Sequence, residues 1–408
     1  MPSLSSIVSF LTTTFLLFHA VSAYVIKRNN PVFDYTSEKI RGVNVGGWLL
    51  IEDWLNPELF SQFNGNSNAP SDEWGFCETL GKAEAYNQLS YHWGTFFTAE
   101  DFARIASWGI NAVRIPIGYW AFSVEDNEPY VQGQEFWLDQ AIEWSRMNNM
   151  KVWVDLHGAP GSQNGFENSG KTGSVDWQKD GNTNRTLQIM SYVTGKYTQD
   201  SYKDVVIGIE TVNEPLGNSL NMDELKEYDL QVYDMIANKS NSVATIVHDA
   251  YVDLSEWTYG PISGNMYNLV MDIHRYQLYE SGECSKTYND HLNSICSLGD
   301  QIANNPYITV TGEWSSTLAD CTIWNNSESS SSFIGVNSGN ITTWTNEYRN
   351  AIRLFIETQL DQLERGAGWF YWTAKTGGQS ATWDMGILVE NGIFPQPLTD
   401  RKFSSYCS

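Results

Sequence analysis

Two glutamates stand at the ends of apolar runs, where a side chain would leave the interior of a sheet. "VVIGIETVNEP" (205–215) ends on Asn213 and Glu214, and "ITVTGEW" (308–314) ends on Glu313. Two carboxyl groups on either side of a glycosidic bond, one acting as acid and the other as nucleophile or base, can hydrolyse that bond. The two runs therefore make cleavage of a glycoside a candidate chemistry.

Motifs for other kinds of catalysis do not occur in the sequence. It has no H-E-x-x-H, no Cys/His cluster and no acidic calcium-type loop, so we expect no metal site. "GSQNGFENSG" (161–170) is glycine-rich but matches neither G-x-G-x-x-G nor a phosphate-binding loop, so we expect no nucleotide cofactor. A serine hydrolase would carry G-x-S-x-G, which is missing. We therefore expect hydrolysis by two carboxyl groups without a cofactor.

The elements that position these glutamates alternate along the chain, because each short β-rich run is followed by a helical pattern. Thr98, with Glu100 and Asp101 after it, marks the start of one helix, and Gly109 marks its end. The stretch between the sixth and seventh runs carries cysteines and has the least regular helical pattern. Alternating strands and helices pair in parallel, so eight units predict an α/β protein with a single (β/α)8 TIM barrel. The runs are 41–47, 112–118, 152–158, 205–215, 244–251, 269–276, 308–314 and 368–375.

Polar residues end most of these runs. In a barrel of this kind the active site lies at the C-terminal mouth of the strands, so a polar residue at a strand end faces the substrate. Strands four and seven lie opposite each other across the mouth, which would bring Glu214 and Glu313 together. The residues at the strand ends are Arg114, His157, Asn213, Glu214, His274, Tyr276, Glu313, Trp314 and Trp372.

Composition excludes some partners and favours others. The 408 residues carry a formal net charge of -24 and no Lys/Arg cluster, so we expect no binding to nucleic acid or to anionic membranes. The 17 Trp and 21 Tyr suit a large core, and they also suit a carbohydrate surface, since flat rings pack against the C–H faces of sugars.

The N-terminus is typical of a secreted protein. Residues 1–23 form a mainly apolar run that closes on small residues and predict a signal peptide. Residues 24–28 end on Lys27-Arg28, a dibasic processing site, which leaves a catalytic domain at 29–408. The C-terminal "RKFSSYCS" has no apolar tail, so we expect a soluble monomer, extracellular or in the cell wall, with no membrane partner.

Cysteines and glycosylation triplets fit the same compartment. Five cysteines leave at least one unpaired, and their spacing alone does not give the connectivity. They are Cys77, Cys284, Cys296, Cys321 and Cys407. Triplets for N-glycosylation begin at Asn184, Asn238, Asn325 and Asn340.

Several motifs together carry a resemblance to a known family. Asn213-Glu214-Pro215 and Gly312-Glu313-Trp314-Ser315 resemble the acid/base and nucleophile motifs of glycoside hydrolase family 5, whose members are retaining (β/α)8 enzymes. More narrowly, the chain from about residue 40 to its end resembles the secreted fungal exo-1,3-β-glucanases. The segments that carry this are "RGVNVGGWLLIE", "DEWGFCETLG", "GINAVRIPIGYWAF", "DLHGAPGSQNGFENSG", "VVIGIETVNEPLG", "TGEWSSTLADC" and "NGIFPQPLTDRKF".

The resemblance implies roles for the two glutamates. It makes Glu214 the general acid/base and Glu313 the nucleophile. We expect Glu214 to be held protonated by the nearby second carboxylate, and Glu313 to be kept ionised by Arg114 and Tyr276.

The resemblance also implies a set of binding residues and a β-glucan polysaccharide or oligosaccharide as substrate. Asn213 would bind the sugar 2-hydroxyl, Trp372 would lie beneath the ring, and Phe166 and Tyr279 would flank the pocket entrance. A Cys296–Cys407 disulfide would tie down the C-terminus. The remaining substrate-binding residues are Glu52, His157, Asn168 and His274.

Two departures leave the substrate open. Glu167 stands where the family often has Asp, and Ala374 where a second Trp is common. Both affect linkage preference rather than hydrolysis. The alternatives are a related glycosidase acting on β-1,6-glucan, β-mannan or a glucosylated lipid, and a non-catalytic wall-binding protein. The presence of both glutamates argues against the second alternative.

Overall fold

The computed structural model describes residues 32–258, 260–279, 282–318, 340–378 and 380–407. The predicted signal peptide and processing site lie outside these residues, as do Cys321 and the triplet at Asn325. The side chain of Cys284 is not described.

Eight parallel strands form a closed barrel in chain order, as the sequence predicts. Each strand pairs with its chain neighbours, and β1 closes the barrel against β8. Because β4 ends at Glu210, Asn213 and Glu214 lie on the loop beyond it rather than on the strand itself. The strands are β1 Ile40–Asn44, β2 Ala112–Gly118, β3 Lys151–Gly158, β4 Val206–Glu210, β5 Ala244–His248, β6 Leu269–His274, β7 Ile308–Trp314 and β8 Gly368–Tyr371.

Helices surround the barrel, with one departure from strict alternation. In the described residues between β5 and β6 the chain forms a 3-10 turn, Leu254–Thr258, where an α-helix was expected. The sixth unit, whose pattern was least regular, does form a full helix. The α-helices are α1 Pro57–Phe60, α2 Glu73–Leu80, α3 Lys82–Thr95, α4 Ala99–Ser107, α5 Gln134–Met147, α6 Asn182–Tyr197, α7 Met222–Ala237, α8 Tyr288–Asn304, α9 Asn346–Leu363 and α10 Met385–Glu390.

The segment before β1 closes the N-terminal end of the barrel. Phe33 and Tyr35 are buried against Trp153 and Phe370 in the barrel interior. The Tyr35 hydroxyl donates to the carbonyl of Ile207 at 3.1 Å and accepts from the Trp153 indole at 2.8 Å. Each ring removed from water contributes about 1.5–3 kcal/mol. The packed interior leaves the C-terminal mouth as the place for a site.

A disulfide fixes the C-terminus to the outer layer. Cys296 on α8 is bonded to Cys407, as predicted from the resemblance. Cys77 is buried with a free thiol. In the described part of the chain, no helix combines the length and hydropathy required to span a bilayer.

Candidate active site

The residues predicted at the strand ends converge on the C-terminal mouth around a buried guanidinium. Arg114, from the middle of β2, is fully buried. It donates from Nη1 to Glu313 at 2.9 Å, from Nη2 to Asn213 at 2.7 Å and from Nε to Glu210 at 2.8 Å. A buried cation of this kind must be paired. Through these bonds Arg114 joins β7 to β4 and to the loop after β4.

Glu313 has the donors that the sequence predicts. Besides Arg114, the Tyr276 hydroxyl donates to Glu313 Oε2 at 2.6 Å. His274 Nδ1 lies 3.5 Å from the same oxygen. Burial and the charge of Glu214 raise the pKa of Glu313, while His274 and Arg114 act in the opposite direction. The net direction is upward, so the donors position the carboxyl and moderate, without abolishing, the effect of burial.

Glu214 lies in a backbone conformation that non-glycine residues seldom adopt. Its φ is 46°, and it precedes a proline, which normally restricts the preceding residue to extended backbone. Neighbouring contacts fix this geometry, since the Asn213 N–H donates to Leu156 at 2.9 Å and Gln163 donates to the Asn213 carbonyl at 2.9 Å. Strain that is held in place by surrounding contacts is typical of functional sites.

Three donors surround the Glu214 carboxyl group. His274 Nδ1 lies 2.6 Å from Oε1, the Tyr251 hydroxyl donates to the same oxygen, and Asn168 Nδ2 donates to Oε2 at 2.6 Å. Burial favours the neutral acid, but the hydrogen bond and charge of His274, with Tyr251, outweigh it and hold the pKa of Glu214 below its ordinary value.

The prediction that Glu313 keeps Glu214 protonated was therefore wrong for the free site. The reason is that His274 lies between the two carboxyl groups. Burial opposes its protonation, but the carboxylates of Glu313 and Asp272 outweigh burial and raise the pKa of His274 well above its usual value. The directions of these two pKa shifts favour the proton on His274 over the proton on Glu214.

His274 also limits the spacing of the two carboxyl groups. The same ring nitrogen is 2.6 Å from an oxygen of Glu214 and 3.5 Å from an oxygen of Glu313. The nearest carboxyl oxygens can be no further apart than these two distances combined. Both carboxyl groups are therefore within reach of one glycosidic bond, as an acid and a nucleophile acting on that bond must be.

Two further predicted binding residues are oriented toward the mouth. His157 bonds through Nδ1 to Asp155 at 2.6 Å, which turns Nε2 toward Asn213 at 3.5 Å. The Trp372 ring stacks on His157 with centroids 5.6 Å apart and planes 11° from parallel. Trp372, His157 and Asn213 thus line one side of the site.

Glu52 is a buried acid with one unused oxygen. Its Oε2 accepts the Trp54 indole N–H at 2.8 Å, and its Oε1 has no hydrogen-bond partner among the described residues. Burial, together with the charges of Glu167, Glu313 and Glu214, raises the pKa of Glu52 well above its usual value. A neutral carboxyl group can both donate to and accept from a sugar hydroxyl.

The two rings predicted at the pocket entrance are the most exposed of the predicted substrate-binding residues. Phe166 is 43% exposed and Tyr279 70% exposed, which suits rings at a pocket rim. Asn168, a predicted substrate-binding residue, donates to Glu214 at 2.6 Å. Ala374 is buried where a second tryptophan was considered, and Trp383 packs nearby against Trp54, with ring centroids 5.2 Å apart.

Sequence reasoning missed several polar residues beneath the site. Asp155, Glu210 and Asp272 are fully buried inside strands and surround Arg114. The sequence did contain an indication of this cluster, because acidic residues lie within the apolar runs. Burial of a carboxylate raises the free energy of the folded state unless it is paired, so such residues imply a buried partner. Asn44, at the end of β1, accepts from Arg114 at 3.0 Å. Tyr251, which ends the fifth run, contacts Glu214 without having been identified.

The described residues contain two groups whose possible ligand atoms lie within 4.8 Å of one another: Glu214, His248 and His274, and Glu210, Asp272 and His274. The histidines of both groups already have partners. His248 Nδ1 accepts the Ala250 N–H at 3.0 Å, and His274 Nδ1 bonds to Glu214 at 2.6 Å.

Among the described glycosylation triplets, three asparagines are exposed. Asn184 lies in the first turn of α6, Asn238 follows α7, and Asn340 begins a short 3-10 turn.

Comparisons with known proteins agree with this geometry. The family model described as Cellulase (glycosyl hydrolase family 5) matches residues 77–376. The chain is 67% identical over 407 residues to "Glucan 1,3-beta-glucosidase 1" of Schizosaccharomyces pombe, covering 100% of both chains. It is 43% identical over 395 residues to "Glucan 1,3-beta-glucosidase I/II" of Saccharomyces cerevisiae, covering 91% of this chain and 88% of the relative.

Solved structures share the fold. A rutinosidase from Aspergillus niger aligns with a TM-score of 0.71 at 22% identity, covering 89% of this chain and 99% of that one. An endoglucanase from Thermotoga maritima aligns with a TM-score of 0.52 at 16% identity, covering 86% of this chain and 96% of that one.

Proposed function

The chain belongs to glycosyl hydrolase family 5, and on that basis we propose that it is a retaining exo-β-1,3-glucanase, which releases glucose from the non-reducing ends of β-1,3-glucan. The observation that carries the proposal is that the carboxyl groups of Glu214 and Glu313 both lie within 3.5 Å of the same imidazole nitrogen, Nδ1 of His274. It occurs in a chain with 67% full-length identity to a glucan 1,3-β-glucosidase.

The first step forms a glycosyl-enzyme ester. Glu313 attacks the anomeric carbon, the bond from that carbon to the glycosidic oxygen breaks, and Glu214 gives its proton to the departing sugar hydroxyl. Arg114 and Tyr276, which hold the two oxygens of Glu313, support the orientation of this attack.

The second step restores the enzyme. Water attacks the anomeric carbon, Glu214 takes one of its protons, and the ester bond to Glu313 breaks. Two inversions leave the released glucose in the β configuration.

We propose that His274 carries the catalytic proton before the substrate binds. The raised pKa of His274 and the lowered pKa of Glu214, across a bond of 2.6 Å, favour the proton on the imidazole in the free site. A bound sugar displaces water, and a low-dielectric environment favours the neutral pair over the ion pair. The proton then moves onto Glu214, where the leaving group can receive it.

The terminal glucose of the proposed substrate would be held by polar groups and a flat ring at the mouth of the barrel. The unpaired oxygen of Glu52, Nε2 of His157 and the amide of Asn213 offer hydrogen bonds to hydroxyl groups. The Trp372 ring offers a flat apolar face. We assign the same binding role to the entrance rings Phe166 and Tyr279, which would flank the next sugar.

Secretion is part of the proposal. Residues 1–23 as a signal peptide, processing after Arg28, and a mature catalytic domain at 29–408 are supported by the sequence pattern. Glycan addition at Asn184, Asn238 and Asn340 is supported by their exposure, and we propose that the mature protein acts as a monomer at the cell wall.

A substrate panel tests the proposal. Purified protein is incubated with laminarin (β-1,3-glucan), pustulan (β-1,6-glucan) and mannan, and the products are separated by chromatography. We expect glucose alone as the early product from laminarin, with slower release from pustulan. A preference for pustulan or mannan, or early release of longer oligosaccharides, would contradict the assignment.

A further inference from the structure

Tyr251 contacts the proposed acid/base from the loop that follows β5. Its hydroxyl donates to Oε1 of Glu214, the oxygen that also meets His274. Burial and the neighbouring carboxylates keep the phenol protonated, since they raise the pKa of Tyr251 well above its usual value. Tyr251 therefore acts as a hydrogen-bond donor to Glu214.

The backbone around Tyr251 is held in an uncommon conformation. Ala250 and Tyr251 have φ of 57° and 55°, both in the left-handed region that favours glycine. The Ala250 N–H donates to His248 and the Tyr251 N–H to Asp249, each at 3.0 Å. The Gly217 N–H donates to the Ala250 carbonyl at 3.1 Å, so the β4 and β5 loops are joined. Fixed strain beside a reacting group points to a role in function.

Tyr251 contacts Glu214 and also lines a surface groove. The groove has a volume of about 620 Å³ and is lined by residues of the β5 and β6 loops and the C-terminal end of α8. Tyr251 is 39% exposed, while its hydroxyl reaches the buried carboxyl group. A phenylalanine would keep this wall and remove only the hydrogen bond.

From this geometry we propose that Tyr251 is a positioning residue for the acid/base, which fixes the Glu214 carboxyl group and sets the upper pH limit of activity. The inference rests on the proposed function. A donor to a carboxylate stabilises its ionised form, so loss of the hydroxyl makes Glu214 keep its proton to higher pH.

Other groups that face Glu214 set the background for this effect. His274 lies on β6, His248 ends β5, and Asn168 comes from the β3 loop. The charges of Glu313 and Glu52, and the hydroxyl groups of Tyr276 and Tyr279, also act on this carboxyl group. Tyr251→Phe changes none of them directly, so the variant isolates one hydrogen bond.

The test is the pH dependence of kcat for Tyr251→Phe on laminaribiose, because kcat reports the substrate complex, in which the proposed function places the proton on Glu214. We expect the alkaline limb of kcat to move up by about one pH unit, while the acid limb is unchanged. Tyr192→Phe is the matched control, because Tyr192 donates to Glu135 at 2.7 Å on the exposed face of α6. Coincident alkaline limbs in wild type and Tyr251→Phe would overturn the proposal.

A second measurement separates an effect on Glu214 from a general disturbance. In a Glu214→Ala background with azide and an activated aryl glucoside, adding Tyr251→Phe should change the rate by less than about twofold. A further loss of tenfold or more would show that Tyr251 acts on something else and would overturn the inference. Wild-type protein inactive on laminaribiose would instead refute the proposed function.

Discussion

The role of Glu214 depends on the side chains that contact its carboxyl group. The sequence supplies its identity, but its protonation depends on His274 of β6 and on Tyr251 and Asn168 of the loops after β5 and β3. Because His274, whose pKa is raised, lies 2.6 Å from Glu214, a proton is available to the carboxyl group even though the pKa of Glu214 is lowered. Removal of Glu214 should therefore affect proton transfer and leave attack by Glu313 intact.

Replacement of the acid/base should distinguish substrates by their leaving groups. Glu214→Ala should slow hydrolysis of laminarin by about 10²- to 10⁴-fold, because a sugar hydroxyl leaves only when protonated. Dinitrophenolate needs no proton, so formation of the glycosyl-enzyme from a dinitrophenyl β-glucoside should be much less affected. The measurements are steady-state rates on both substrates.

Azide provides the control for this variant. It attacks the glycosyl-enzyme without a base, so it should restore turnover and give β-glucosyl azide. Equal loss on both substrates without rescue would show that Glu214 has a structural role.

At the scale of elements, the strands and the loops beyond them contribute different parts of the site. Strands β2 and β6 carry Arg114 and Asp272 inside the barrel, whereas Glu214 and Tyr251 sit on loops with left-handed backbone. The strand pattern predicted where polar residues would gather. The loop conformations were not predictable, because they depend on bonds between loops far apart in sequence.

The β5–β6 connection illustrates a limit of pattern reasoning. Eight strands implied eight helices, yet this connection has a 3-10 turn in its described part. Gly260, Pro261 and Gly264 in "YGPISGN" interrupt a helix there. Beside this segment lies the groove at Tyr251, so the missing helix exposes a wall of the proposed site.

The disulfide should stabilise the outer layer without contributing to catalysis. Cys296 and Cys407 are 111 residues apart, and closing a long loop restricts the unfolded chain. We expect the double variant Cys296→Ser/Cys407→Ser to lose about 2–4 kcal/mol in free energy of unfolding, with kcat/KM at 25 °C nearly unchanged.

Thermal and denaturant unfolding check this prediction, with Ser297→Ala on the same helix as control. The control should stay within about 0.5 kcal/mol of wild type. A double variant as stable as wild type would be inconsistent with a stabilising bridge.

For the whole molecule, charge and burial together determine the response to pH. The net charge of -24 makes the folded chain self-repelling at neutral pH. Burial raises the pKa of Asp229 and of Glu73 to about 8, and lowers the pKa of His92 and of His291 to about 4. None of this follows from sequence, because burial of a single carboxyl group is a property of the folded state.

These groups predict the direction of stability with pH. A carboxyl group whose pKa is raised on folding contributes stability below its usual pKa and loses it as pH rises toward 8. The two histidines contribute stability above pH 6.5 and lose it as pH falls toward 4. Above pH 6.5 the two histidines no longer change the stability, while the two carboxyl groups continue to lose their stabilising effect. We therefore expect Tm to fall between pH 6.5 and 8.

Asp229→Asn tests the origin of that fall. Asp229 is 1% exposed, accepts from Thr211 at 2.7 Å, and has no partner for Oδ2 in the described residues. Its removal should reduce the slope of unfolding free energy by up to about 1.4 kcal/mol per pH unit. If the unfolding free energy falls with pH at the same slope in wild type and variant, a group other than Asp229 is responsible for the fall.

The most direct test of the central claim is to trap the glycosyl-enzyme. A 2,4-dinitrophenyl 2-deoxy-2-fluoro-β-glucoside contains a fluorine that slows both steps and a leaving group that restores the first, so the ester accumulates. We predict one equivalent of dinitrophenolate and, after proteolysis and mass spectrometry, a fluoroglucosyl adduct on Glu313. An adduct on another residue, or full activity with no adduct and α-glucose as the first-formed product, would contradict a retaining mechanism with Glu313 as nucleophile.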